Sequence, residues 1–224
     1  MGRMSVVVFD MDGTLTDTEA VWDEVRRGLA AADGRPWPEG ATRAMMGMST
    51  QEWSTYLSEV VGLTGTAEDS ATRTIHGLLE HFGEGRMPVL PGAIASVRRM
   101  ATRWRLGLAS SSPRILIDAG IERLGIGDVI EVSLSTEELN GAGKPAPDVY
   151  LEVCRRLGAD PRRSIAVEDS TNGIGAAVAA GMIVVAVPPH FHPPAAEVLG
   201  AADVILDNLD ELTVELAEGL LAKR

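Results

Sequence analysis

The sequence predicts an α/β fold: a Rossmann-like core on a parallel sheet, with an all-helical cap domain inserted after the first strand. Three observations carry this reading. Short apolar runs rich in β-branched residues recur, each followed by a turn and a helical pattern. The interval from residue 17 to 86 holds helical periodicity and no strand-like run, and polar residues gather where the apolar runs end.

Residues 5–9 form a short, nearly unbroken apolar run, as a strand buried on both faces does. Helical patterns near Glu19–Ala32 and over 38–46, 50–61 and 68–82 fill the insert. The return crossing, residues 83–92, has the glycine and proline content of a hinge, and Thr16-Asp17-Thr18 is the outbound crossing. The core is therefore expected over 1–16 and 87–224 and the cap over 17–86. Two crossings beside an acidic motif suit a lid that opens and shuts. Further strands are expected at 105–109, 129–134, 164–167, 183–187 and 204–206.

A chain of 224 residues with 45% hydrophobic content has ample material for a core. Its net charge of −12 argues against an extended nucleic-acid footprint, so an anionic ligand has to be held by local cations or a metal. Cys154 is the sole cysteine, which excludes an intramolecular disulfide and fits a reducing compartment. The first apolar run is too short for a signal peptide, and no stretch approaches the ~20 apolar residues of a membrane span. The chain reads as cytoplasmic, with no membrane partner and an open oligomeric state for which a monomer suffices.

The chemistry lies at strand ends. Asp10 closes the first run, Asp12 lies in the turn two residues on, and Gly13 relieves the backbone there. The run at 105–109 ends in Ser110-Ser111-Ser112-Pro113, an anion cradle with Pro113 placed for a helix's first turn. The run at 164–167 ends in Glu168-Asp169-Ser170, and Gly143-Lys144-Pro145 puts a lysine in a rigid loop. If crossovers are short and right-handed, these four clusters meet in one crevice. Packed carboxylates repel one another unless a cation intervenes, and an all-oxygen site beside phosphate suits Mg²⁺. A carboxylate attacking phosphorus yields an aspartyl phosphate, while a second carboxyl protonates the leaving oxygen and later activates water.

Asp10-Met11-Asp12-Gly13-Thr14, Ser110, Lys144 and Glu168-Asp169, in this order, resemble the four motifs of the haloacid dehalogenase superfamily. The insert, Gly143-Lys144-Pro145-Ala146-Pro147-Asp148 and Val167-Glu168-Asp169-Ser170 resemble its β-phosphoglucomutase-like and sugar-phosphatase branch. The resemblance implies Asp10 as nucleophile and metal ligand, Asp12 as general acid/base and metal ligand through its carbonyl, and Glu168 and Asp169 as the remaining metal ligands. It implies phosphate or substrate contacts from Thr14, Ser110, Ser111 and Lys144 in the core and from Trp22, Gly47, Ser49 and Thr50 in the cap. The implied function is Mg²⁺-dependent hydrolysis of a small phosphorylated metabolite, a sugar or polyol phosphate.

Trp22 stands where the mutases of that branch carry a histidine, and Thr50 where they carry an arginine for the second phosphate, so hydrolysis is expected over isomerisation. A phospho-receiver module is the remote alternative, but it lacks a helical insert. A calcium loop does not fit, because the glycine is fourth and a strand precedes it. Cys154 reads as core, Met45, Met46 and Met48 as cap core, and Trp37, Trp53 and Trp104 as packing. His76, His81, His190 and His192 lack metal-ligand spacing, and the loop from Pro188 to Pro194 is expected to be exposed.

Overall fold

The computed structural model describes residues 4–46, 48–139, 141–190 and 193–224. Six parallel strands form one sheet: β1 (Val6–Phe9), β2 (Arg105–Ser110), β3 (Ile130–Ser135), β4 (Ile165–Glu168), β5 (Ile183–Ala186) and β6 (Val204–Ile205), in the order β3-β2-β1-β4-β5-β6. The chain leaves β1 in one direction to build β2 and β3, then crosses back to lay β4 on the other flank of β1. That reversal places the carboxyl ends of β2, β1 and β4 side by side, which is where open α/β sheets bind ligands.

Side chains alternate across the sheet with a period of two. Val7, Phe9, Leu108, Val167 and Val185 enter one buried cluster, and Val6, Val8, Ala109, Ala166 and Val184 enter the other. Ten helices accompany the sheet among the described residues. Those of the insert are α1 (Glu19–Ala32), α2 (Ala41–Met45), α3 (Thr50–Tyr56), continued by the π-helical turn Leu57–Val61, and α4 (Ala67–Gly83). Those of the core are α5 (Ala93–Ala101), α6 (Arg114–Leu124), α7 (Asp148–Arg156), α8 (Thr171–Ala179), α9 (Ala196–Leu199) and α10 (Val214–Leu221). Gly107 lets α7 lie close on β2, since a Cβ there would collide with Val153.

The insert has its own apolar centre, in which Val21, Trp22, Val25, Trp53, Leu57 and Leu78 meet Leu116 of α6 and Met87. Capping boxes start α3 (Ser49 with Glu52) and α4 (Thr66 with Asp69), satisfying backbone donors that a helix start leaves free. A two-pronged ion pair from Arg73 on α4 to Asp33 fastens the end of α1, with both contacts at 2.8 Å. The two crossings are bonded to each other: Asp17 N donates to Pro88 O (3.1 Å) and Leu90 N to Leu15 O (3.0 Å).

Most element boundaries differ from expectation by a residue or two, and two of these differences concern the site. Ser110 and Glu168 are the last residues of β2 and β4 rather than the first of the following turns. The helical pattern at 38–46 contracts to α2, which begins after Gly40 at φ 78°, and Pro113 caps α6 at ψ 147° instead of joining its first turn. The strand expected at 204–206 ends at Ile205.

Cys154 is fully buried in α7, and burial pushes its thiol up to about 12. Ellman's reagent should therefore leave the native protein unlabelled at pH 8 and titrate one thiol after guanidinium unfolding; rapid native labelling would contradict this packing.

Candidate active site

Asp10 follows β1 directly, and its amide donates to Val167 O of β4 (3.0 Å), continuing the sheet one residue past the strand. The chain then folds tightly, with Leu15 N and Thr16 N both donating to Met11 O (2.8 and 3.0 Å). Gly13 makes that turn at φ 87°, and a Cβ there would strike the Asp169 carboxylate. The turn thus brings its backbone against the end of β4 as only glycine allows. The carboxylate of Asp12 accepts from Thr18 Oγ1 (2.7 Å), Ser112 Oγ (2.7 Å) and, at longer range, Ser110 Oγ (3.4 Å).

Lys144 reaches in from the loop before α7, and its Nζ lies 2.6 Å from Asp10 Oδ1, 2.6 Å from Glu168 Oε1 and 3.0 Å from Ala109 O. Glu168 is enclosed: Tyr150 OH donates to Oε1 (2.6 Å), and Ser170 Oγ (3.3 Å) and the Asp169 amide (3.2 Å) donate to Oε2. Gly173, one turn into α8, leaves room for this carboxylate, since a Cβ would collide with it. Asp169 accepts from Thr14 Oγ1 (3.1 Å).

Asp10, Glu168 and Asp169 are all buried, and each offers a carboxylate oxygen within 4.8 Å of the others. One ammonium faces these three carboxylates. Burial, only partly offset by Lys144, raises Asp10 to about 7, and the Glu168 charge adds to the shift. Burial and then the Asp10 and Glu168 charges raise Asp169 well above the carboxylate range. Burial by itself would lower Lys144, but the two carboxylates outweigh it and hold the ammonium above its usual range. This cluster of hard oxygen donors has more negative charge than Lys144 neutralises, and a divalent cation fits that deficit.

Above the cluster lies a cavity of about 260 Å³, walled by Asp10, Asp12, Ser110, Ser111, Lys144 and Asp169 from the core and by Trp22 from α1. Thr14 and the cap turn are placed differently from expectation. Thr14 is fully buried and bonds Asp169 instead of facing the cavity. Ser49 is engaged in its capping box, and the Thr50 hydroxyl is buried without a partner; neither lines the cavity. Gly47 lies outside the described residues, as does His192.

Several lining residues were read as something else from sequence. Met45, Met46, Met48 and Trp53 face the cavity rather than serving only as cap packing, and Pro189 and Pro194 bring their loop to its rim. Ser112, expected only as part of the anion cradle after β2, bonds Asp12. Glu19 and Arg26 of α1 also reach the cavity, and only their position on the face of α1 shared with Trp22 could have signalled it.

Residues 4–181 match the haloacid dehalogenase-like hydrolases, and the chain belongs to that family. It is 32% identical over 181 residues to the phosphorylated carbohydrates phosphatase of Thermotoga maritima, covering 80% of this chain and 82% of that one. It is 31% identical over 226 residues to hexitol phosphatase B of Escherichia coli K12, covering 95% and 96%. In three dimensions it superposes on β-phosphoglucomutase of Clostridium difficile with a TM-score of 0.79 at 22% identity, over 100% of this chain and 98% of the other, which bears on the fold. Family and relatives agree with the expectation of a phosphoric monoester hydrolase. No helix among the described residues is long and apolar enough to cross a membrane.

A divalent cation that binds only the folded cluster should stabilise it. At free Mg²⁺ a hundredfold above Kd the gain is about 2.7 kcal/mol, or roughly 5–10 °C in Tm for a chain of this size. Asp169→Asn should remove most of that rise in a thermal melt; an unchanged rise in the variant would place the cation elsewhere.

Proposed function

We propose that this hydrolase is a Mg²⁺-dependent phosphatase of a small phosphorylated metabolite, a sugar or polyol phosphate, working through a phosphoryl group carried on Asp10. The observation that carries the reading is the meeting of Asp10, Glu168, Asp169 and Lys144, with Asp12 and Ser110 beside them, at the floor of one cavity. The names of the two phosphatase relatives support the substrate class.

On this reading an oxygen of Asp10 attacks phosphorus, and the ester oxygen departs with a proton from Asp12. A water then attacks the aspartyl phosphate, giving its proton back to Asp12 and releasing inorganic phosphate and free Asp10. The hydroxyls of Thr18 and Ser112 around Asp12 suit both halves of this cycle, because a hydroxyl donates to a carboxylate and accepts from a protonated carboxyl. Lys144 orients Asp10 through Oδ1 and, with Ser110 and the Ser111 backbone, holds the phosphoryl oxygens. Asp10, Glu168, Asp169 and the Asp12 carbonyl would hold Mg²⁺, which neutralises charge that builds on the phosphoryl oxygens.

Residues 17–86 act as the cap over a core of 1–16 and 87–224, and the paired crossings at Asp17 and Pro88 form the hinge. Hydrolysis is favoured over phosphoryl transfer to a second sugar hydroxyl because the position where a mutase carries its arginine is Thr50, an uncharged residue that does not line the cavity.

Asp10→Asn should lower phosphate release from 4-nitrophenyl phosphate by about a thousandfold or more, an effect of roughly 4 kcal/mol on the barrier. EDTA should silence the wild type until Mg²⁺ is restored. Retained turnover in the variant would retract the nucleophile assignment. With β-glucose 1-phosphate and a trace of the 1,6-bisphosphate, free phosphate should exceed glucose 6-phosphate; the opposite ratio would establish a mutase.

A further inference from the structure

Arg26, inside the cap, forms no direct ion pair among the described residues, and the charges nearest it are those of Glu19 and Asp23 on its own helix. Arg26 is only 6% exposed, and its Nε is buried without a hydrogen-bond partner. Its guanidinium carbon lies 4.5 Å from the Trp22 ring centroid and 5.0 Å from that of Trp53, two indoles that meet edge to face at 5.6 Å. Burial lowers Arg26 to about 10, partly offset by Glu19 and Asp23 on the same helix, so it stays charged at neutral pH.

Glu19 is exposed, and Asp23 is engaged with Arg27 (2.6 Å) and Thr42, so neither closes on Arg26. Cation–π contact offsets part of the cost of burying a guanidinium but leaves its Nε–H without a protein acceptor. That group belongs to a side chain that lines the same cavity as Asp10, and it shares with Lys144 the distinction of being a cation in that wall among the described residues. Lys144 is already paired with two carboxylates.

We infer that Arg26 is a specificity residue that receives a second oxoanion, a carboxylate or phosphate, on the non-reacting end of the ester, so that the substrate is an acidic phosphorylated metabolite. A planar guanidinium fixed against aromatic faces is already oriented to accept such a group through two parallel N–H donors. The strongly acidic chain makes that local cation the more telling, because among the described residues an anionic end finds no other unpaired positive side chain in the cavity. The inference rests on the phosphatase reading only for which end of the ester reacts.

The test compares 6-phosphogluconate, fructose 1,6-bisphosphate and glucose 6-phosphate, which carry a carboxylate, a phosphate or no second anion, and 3-phosphoglycerate against glycerol 3-phosphate as a shorter series. Wild-type kcat/KM should favour an acidic member over its neutral counterpart by tenfold or more, and the member favoured identifies the anion. Arg26→Gln should collapse that ratio, chiefly through KM of the acidic ester, while Arg26→Lys keeps part of it. Calorimetric Kd values on the Asp10→Asn protein with Mg²⁺ read the same preference without turnover.

Equal values for acidic and neutral esters in both series, or a ratio that survives Arg26→Gln, would overturn the assignment. Tenfold tighter binding of acidic esters without any phosphate release would instead retract the hydrolytic mechanism and leave Arg26 its role.

Discussion

Lys144 places one ammonium 2.6 Å from carboxylates on two different strand ends, Asp10 after β1 and Glu168 closing β4, and the surrounding elements serve this three-way contact. Asp169 adds a third buried acid to the same group. Such a concentration of charge is costly out of water unless it is paired, and one lysine does not pair it completely. The upward shifts of Asp10 and Asp169 express that shortfall. Backbone and hydroxyl donors hold the acids in place all the same, through Thr14 on Asp169 and through Tyr150 and Ser170 on Glu168. The floor of the site is therefore held in place with an excess of negative charge, which a bound divalent cation would offset.

The cap solves a different problem. On the proposed reading the core cluster takes the phosphoryl group that every candidate ester shares, so discrimination has to come from the opposite wall. That wall is aromatic and thioether, from Trp22, Trp53 and Met48, with Arg26 as its cation and Glu19 as its acid. A mostly apolar wall carrying one oriented cation would distinguish ligands by the position of a negative group. Because α4 and Met87 pack against Leu116 of α6, movement of the cap would be limited to the hinge and that one seam.

The core was legible in the sequence for a physical reason. Parallel strands buried on both faces must be short apolar runs, so the polar residue that ends each run marks the sheet's carboxyl edge. Asp10, Ser110, Glu168 and Asp169 announce themselves in this way, and only a shift of one residue separates the expected strand ends from the observed ones. Lys144 could be placed because its loop follows β3 and precedes a helix that must return to the sheet. The cap was less legible. Helical periodicity identifies a buried face but does not say whether that face meets other helices or a cavity, so Met45, Met48 and Trp53 read as packing.

Arg26 gave little signal beyond sharing a helix face with Trp22, because an arginine on an amphipathic helix ordinarily reaches solvent and its burial depends on a tryptophan from α3. Thr14 was misjudged because the turn that Gly13 permits points its hydroxyl back to β4.

The claim on which the rest depends is that Asp10, Glu168 and Asp169 share one divalent ion. Anomalous diffraction from crystals soaked in Mn²⁺ tests it most directly. The account predicts one strong peak at about 2.2 Å from carboxylate oxygens of Asp10, Glu168 and Asp169, close to the distances of hard octahedral ions. A peak bound elsewhere, or none at this cluster while the three acids keep their places, would contradict it.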